Sequence, residues 1–153
     1  MRLIIFFFLL TVFPHHQIAA NEHEYFLMLK NSKVNVRYGP SREDQIKFIY
    51  RKKNLPLKVI DKKENFRKIT DHKNNSGWIH ISQLRKSKSL VLMKEDILFK
   101  KKTKFSDPIA KLAEGKLVLI KKCQENWCKV KADEFIGWLE LNNVWGIEIN
   151  NSN

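Results

Sequence analysis

Three signatures of common enzyme classes are missing from this chain. It has no His–Glu–x–x–His metal motif, no glycine-rich phosphate loop and no Gly–x–Ser–x–Gly nucleophile elbow. Glycines number only five and cysteines only two. The cysteines, Cys123 and Cys128, flank four residues, which is not the Cys–x2–Cys spacing of a redox pair, and no further zinc ligands cluster beside them. Cys128 with His72 or His80 would make a nucleophile and base on paper, but the histidines belong to the other half of the chain. A catalytic, metal or cofactor site is therefore not expected.

Apolar stretches long enough to span a bilayer are missing too. Leu3 to Phe13 is an apolar run of eleven residues, preceded by Met1-Arg2, broken by Pro14 and followed by Ile18-Ala19-Ala20. Spanning takes about 20 apolar residues, so residues 1–20 read as a secretory signal peptide cleaved near Ala20. The mature chain is then expected in the periplasm or secreted. Acidic residues are also scarce, 16 against 29 Lys and Arg. Removing residues 1–20 takes away one Arg and leaves 28 basic against 16 acidic residues, a net charge of +12. Such charge would ordinarily raise nucleic acid as a partner, but export argues against it, and the lysines are scattered through every segment as on a solvated surface. Lys100-Lys101-Lys102 with Lys104 is the densest patch, suited to weak electrostatic contact with anionic membrane or wall polymers. Salt screens such contact beyond roughly 8 Å.

What the chain does have is an internal repeat. ENFRKI at 64–69 followed by GWIH at 77–80 returns as ENWCKV at 125–130 followed by GWLE at 137–140. A period of about sixty residues is enough for each copy to close its own core. Short runs rich in Val, Ile, Phe and Tyr, broken by Gly, Pro, Asn, Asp or Lys clusters, predict an all-β sandwich or barrel. Strands are expected near 25–30, 33–38, 46–51, 55–61, 65–70 and 77–82, then 89–93, 97–99, 108–112, 116–123, 127–132 and 136–141. Arg85 to Ser89 marks the boundary and is too short for a flexible tether, so the two modules should touch.

Alternation assigns faces. Ile79 and Ile81 point inward with Trp78 and His80 opposite, and Leu139 and Leu141 repeat that parity. Hairpin register then pairs Phe66 with His80 and Lys68 with Trp78, and in the second copy Trp127 with Glu140 and Lys129 with Trp138. Each module thus sets an aromatic diagonal to a Trp, with a Lys across from it, off the core face. That arrangement serves either as a second mini-core, with Lys stems covering Trp rings, or as an aromatic ligand groove. Cys123 and Cys128 stand at opposed ends of a hairpin turn, within disulfide reach in an oxidising compartment.

NVRYGP at 35–40 with Val34 before it, the Leu55-Pro56-Leu57 turn into a strand, and the GW dipeptide at 77–78 resemble the bacterial SH3-like domain family. The resemblance is closest to the exported tandem form, in which a divergent second copy carries Cys–x4–Cys with Trp before the second Cys, and it covers Tyr25 to Gly146. It implies an all-β chain of two tandem SH3-like small barrels after the signal peptide: residues 1–20, then 21–86, then a divergent copy over 87–149. It also implies a binding role, commonly to cell-wall peptide or to partner proteins in the envelope. Related modules often accompany wall hydrolases, but two modules leave no room here for a catalytic domain, and a non-enzyme is expected. The second copy lacks NVRxGP, since Ile97-Leu98-Phe99 leads straight into lysines.

In the first copy Val34 and Val36 should point inward while Arg37 and Tyr38 end the strand and Gly39-Pro40 bends the chain. Arg37 should pair with a loop acid such as Glu43 or Asp44. The candidate ligand-binding residues are Arg37, Tyr38, Tyr50, Phe66, Trp78 and His80. Two functions follow: a monomeric binding module for wall peptide or an envelope protein segment, or a structural adaptor with its Trp faces packed between the barrels. The exposure of Trp78 and Trp127 separates them.

Overall fold

A computed structural model describes residues 25–148, so the signal-peptide expectation, Met1 to Ala20, lies outside the described residues. The first seven strands are β1 (Tyr25–Leu29), β2 (Val34–Arg37), β3 (Ile46–Tyr50), β4 (Pro56–Lys63), β5 (Phe66–Thr70), β6 (Ser76–His80) and β7 (Leu84–Lys86). A 3-10 turn, Ile81–Gln83, links β6 to β7. The next seven are β8 (Ser89–Leu92), β9 (Asp96–Phe99), β10 (Pro108–Leu112), β11 (Leu117–Gln124), β12 (Trp127–Ala132), β13 (Phe135–Glu140) and β14 (Val144–Trp145). They form two antiparallel sheets ordered β3-β2-β6-β5-β4-β1-β7 and β10-β9-β13-β12-β11-β8-β14. The second order repeats the first with every strand number raised by seven, which is the two small barrels the repeat predicts. β7 and β14 were not anticipated, because segments of three and two residues carry no readable period.

The predicted register holds in both copies. Phe66 faces His80 and Lys68 faces Trp78, while Trp127 faces Glu140 and Lys129 faces Trp138. The repeated Glu-Asn turns, which join β4 to β5 and β11 to β12, reinforce it. Each is a two-residue hairpin loop whose first residue, Glu64 or Glu125, takes a positive φ of 48° or 53°. The following Asn65 and Asn126 carbonyls accept the amides of Ile81 and Leu141 at 2.8 and 2.9 Å, tying each turn to the strand end opposite.

The repeated Gly-Trp has an equally local cause. At Gly77 a Cβ would stand 2.4 Å from Val36 Cγ1 and 2.9 Å from the Arg37 carbonyl; at Gly137 it would stand 2.7 Å from Leu98 Cγ and from the Phe99 carbonyl. These are the points where β6 meets β2 and β13 meets β9, through the pairs Arg37–Trp78 and Phe99–Trp138. Only glycine lets the backbones approach so closely.

Each barrel has its own apolar core, centred on Leu29, Val36, Leu57, Ile69 and Ile79 in the first and on Leu90, Leu98, Val118, Val130 and Leu139 in the second. Val91 belongs to the first core although it lies in the second sheet, with Leu117 and Trp145 packed beside it. β8 is therefore buried on both faces: Leu90 and Leu92 join their own core, while Val91 faces the neighbouring barrel. The seam is completed by Trp145 Nε1 donating to the Pro56 carbonyl at 3.1 Å, Ser89 Oγ donating to the Asn54 carbonyl at 2.6 Å, and an edge-on contact of Trp145 with Phe26 at 5.3 Å. The modules touch, as the short junction requires. Cys123 and Cys128 face each other across β11 and β12 with Cα atoms 4.0 Å apart and form the disulfide.

Candidate functional site

A cleft of about 410 Å³ opens in the first barrel where β2, β5, β6 and the 3-10 turn meet. Arg37, Phe66 and His80 line it, with Lys33 and Arg42 adding positive charge and Ser82 and Gln83 coming from the turn. Parity places the walls. Val34 and Val36 are buried in the core, so Lys33, Asn35 and Arg37 alternate outward. Phe66 is only 7% exposed and meets the His80 ring edge-on at 5.1 Å.

His80 also caps the 3-10 turn. Its Nδ1 accepts the Ser82 amide at 3.3 Å and lies 2.8 Å from Ser82 Oγ. Accepting at Nδ1 leaves the proton of the neutral ring on Nε2. Arg37 was expected to pair with a loop carboxylate; instead its Nη1 donates to the Asp44 backbone carbonyl at 2.5 Å. The Asp44 carboxylate is already engaged, accepting the Ser41 amide at 2.8 Å and filling the space a Gly39 Cβ would take. Glu43 accepts the Ser41 hydroxyl, and that hydrogen bond, with smaller contributions from the charges of Arg37 and Arg42, holds its carboxyl below the usual range. A guanidinium anchored through a carbonyl is not neutralised by the bond, so its charge remains available to the cleft.

The other three candidates stand away from the cleft walls. Tyr38 is 64% exposed, with Lys47 Nζ 5.6 Å from its ring centroid. Tyr50 donates its hydroxyl to Asp71 at 2.9 Å and packs against the core and edge-on to Phe48. Burial, and then the Asp71 charge, push that hydroxyl above its ordinary pKa. Trp78 is half-buried between Arg37 and Lys68 on the neighbouring strands. Lys33 and Asn35 were readable from strand parity and were missed; Arg42, Ser82 and Gln83 reach the cleft through loop and turn geometry that no period signals.

The second barrel has a cleft of about 340 Å³ at the equivalent position, with its charge reversed. Glu95 stands where Lys33 does, Phe99 where Arg37 does, and Glu140 where His80 does, as the matching strand pairs require. Lys104 lies across it, 2.7 Å from Glu140, a hydrogen bond that raises the ammonium above its usual pKa. Lys102 reaches Glu125 at 3.6 Å, so two members of the densest lysine patch are paired within the barrel. Trp127 is half-buried and meets Phe99 edge-on at 6.0 Å. Trp138 is buried, and the ammonium 5.6 Å from its ring centroid is that of Lys122 rather than the register partner Lys129.

Bacterial SH3 domains match this chain twice, over residues 30–86 and 103–146. The second match leaves out β9, the strand lacking the NVRxGP residues. No curated protein matches the chain. Among solved structures it is similar to NlpC2 from Trichomonas vaginalis, with 11% identity over 80% of this chain and 48% of that one, at a TM-score of 0.37. It is also similar to NlpC1 from the same organism, with 9% identity over 82% of this chain and 47% of that one, at a TM-score of 0.36. The chain spans about half the length of either structure.

Proposed function

Because the chain belongs to the bacterial SH3 domain family, we propose that it is a non-enzymatic, extracytoplasmic binding module that takes an extended segment of cell-wall peptide or of an envelope protein. The observation carrying this reading is the first-barrel cleft, where the Phe66 and His80 rings adjoin Lys33, Arg37 and Arg42. An apolar wall beside clustered cations suits a peptide that presents a carboxylate near an aliphatic side chain. The protein acts as a monomer and without a cofactor.

The decisive measurement is titration of the mature chain with purified wall peptides and with wall material. Arg37→Ala and Arg42→Ala should each weaken binding by about tenfold or more, as for charge pairs at an interface centre. Tyr38→Ala, away from the cleft, should bind as the parent does. Unchanged binding by a folded Arg37→Ala protein would move the ligand to another surface. In the adaptor reading, the tryptophan seated between the barrels is Trp145 rather than Trp78 or Trp127.

Export with cleavage near Ala20 and residence in the periplasm or outside the cell complete the proposal, supported by the family and by the Cys123–Cys128 bond. Mass spectrometry of the native protein should find a chain beginning near Asn21. An intact Met1 terminus in a membrane fraction would overturn that part.

A further inference from the structure

The loop from Lys100 to Asp107, between β9 and β10, holds four lysines against one aspartate in eight residues. It is closed by its own hydrogen bonds: Lys100 N to the Asp107 carbonyl at 3.0 Å, Thr103 N to the Lys101 carbonyl at 2.9 Å, and Lys101 N to Ser106 Oγ at 3.0 Å. The Lys102 and Lys104 ion pairs with Glu125 and Glu140 fasten it to the barrel. On this fastened loop Phe105 is 100% exposed, whereas every other exposed large hydrophobic residue among the described ones keeps at least a third of its surface covered. Its amide is 3.3 Å from Thr103 Oγ1, so the backbone beneath the ring is held rather than free. Lys100 and Lys101 are exposed beside it.

We propose that this loop docks the second barrel on an anionic lipid bilayer, with Phe105 entering the boundary between headgroups and acyl chains and Lys100 and Lys101 facing the headgroups. The shape of the feature favours this partner. A single aromatic on a convex tip needs a matching pocket in a protein partner, but a bilayer yields to it, and an acidic wall polymer has no apolar phase to receive it. Interfacial anchoring combines an inserted apolar group with attraction to anionic lipid, and both occur within these eight residues. The excess of 29 basic over 16 acidic residues draws the whole chain toward the same surface. The site lies in the other barrel from the Arg37 cleft, so its test is independent of the peptide-binding reading.

The experiment is co-sedimentation of the mature chain with vesicles of phosphatidylcholine and phosphatidylglycerol at about 70:30, against pure phosphatidylcholine, at two salt concentrations. Binding should require the anionic lipid and weaken with salt. Phe105→Ser should lower the partition coefficient at least about fivefold. Lys100→Ser with Lys101→Ser should lower it by about twenty-five-fold, or about fivefold per lysine near the surface. Both variants change only exposed side chains, so circular dichroism should match the parent and an altered fold would not explain the loss. No sedimentation with anionic vesicles, equal sedimentation with neutral ones, or full binding by Phe105→Ser would each overturn the proposal. Capture on a soluble anionic wall polymer without vesicle binding would overturn it in favour of the polymer.

Discussion

Replacing Gly77 by alanine places one methyl group where β6 crosses β2. The added Cβ would stand 2.4 Å from Val36 Cγ1 and 2.9 Å from the Arg37 carbonyl oxygen. Unstrained carbon contacts lie near 3.5–4.0 Å, so roughly 1 Å of movement is needed. Val36 is fully buried, and the carbonyl is backbone. Overpacking of this kind costs about 1–3 kcal/mol, and removing a strand glycine returns about 0.5–1 kcal/mol. The net expectation is a loss of about 1–2 kcal/mol, read from urea unfolding followed by tryptophan fluorescence. Gly137→Ala should cost more, because its Cβ meets Leu98, the Phe99 carbonyl and Ile109, all within 2.8 Å. A double-mutant cycle makes the argument specific. Val36→Ala removes the atom nearest the new methyl, so Gly77→Ala should cost about 1 kcal/mol less in that background. Additive effects, or a Gly77→Ala protein as stable as the parent, would refute the steric origin of the repeated Gly-Trp.

Three further outcomes follow from the same geometry. Reducing the Cys123–Cys128 bond should cost only about 2 kcal/mol, the loop-closure value for so short a ring, and leave the far-ultraviolet spectrum intact; unfolding on mild reduction, or thiol labelling of the untreated native protein, would count against it. Asp71 is buried: burial acts to raise its pKa, but hydrogen bonds from the Asn75 side chain, the Asn75 and Lys73 amides and Tyr50 outweigh that and lower it. Its stabilisation should therefore be present above the ordinary aspartate pKa of about 3.9 and be lost as pH falls through the lower folded value, an acid limb that Asp71→Asn should flatten in urea midpoints between about pH 6 and 2. Trp145→Ala removes the Pro56 hydrogen bond and the Phe26 contact and should cost about 2–3 kcal/mol, splitting unfolding into two calorimetric steps; an unchanged single transition would show that the seam does not couple the barrels.

Strand positions and the β5–β6 and β12–β13 register were legible because each strand has one buried face, and the short loops, five residues between Thr70 and Ser76 and two between Ala132 and Phe135, leave the chain little freedom to slip. Phe66 opposite His80 and Trp127 opposite Glu140 follow from counting residues across those loops. The cleft was legible only in part. Arg37, Phe66 and His80 sit at strand ends whose direction alternation fixes, whereas Arg42 and Ser82 arrive from a loop and a 3-10 turn. Tyr38 and Tyr50 were both candidates, yet the Tyr50 hydroxyl is drawn to the buried Asp71 carboxylate 21 residues away, while the Tyr38 ring has the Lys47 ammonium near it. Such pairings depend on contacts distant in sequence, and no local period encodes them. Trp145 was missed as the seam residue because β14 is two residues long.

The two clefts show what duplication has kept and what it has changed. The backbone frame is the same, since Arg37–Trp78 and Phe99–Trp138 occupy equivalent pairs, as do Phe66–His80 and Trp127–Glu140. The charge at the rim is reversed: Lys33 gives way to Glu95, and His80 to Glu140. A ligand carboxylate placed in the second cleft would meet Glu95, Asp96 and Glu140, with Lys104 already committed to Glu140. Like charges facing each other at such distances act against binding. One anionic ligand is therefore not expected to occupy both barrels, and under the proposed peptide-binding reading only the first cleft would serve it. The same Lys104–Glu140 pair that closes the second cleft to anions fastens the loop bearing Phe105, so loss of the rim acid and loss of the loop's anchor are expected to go together.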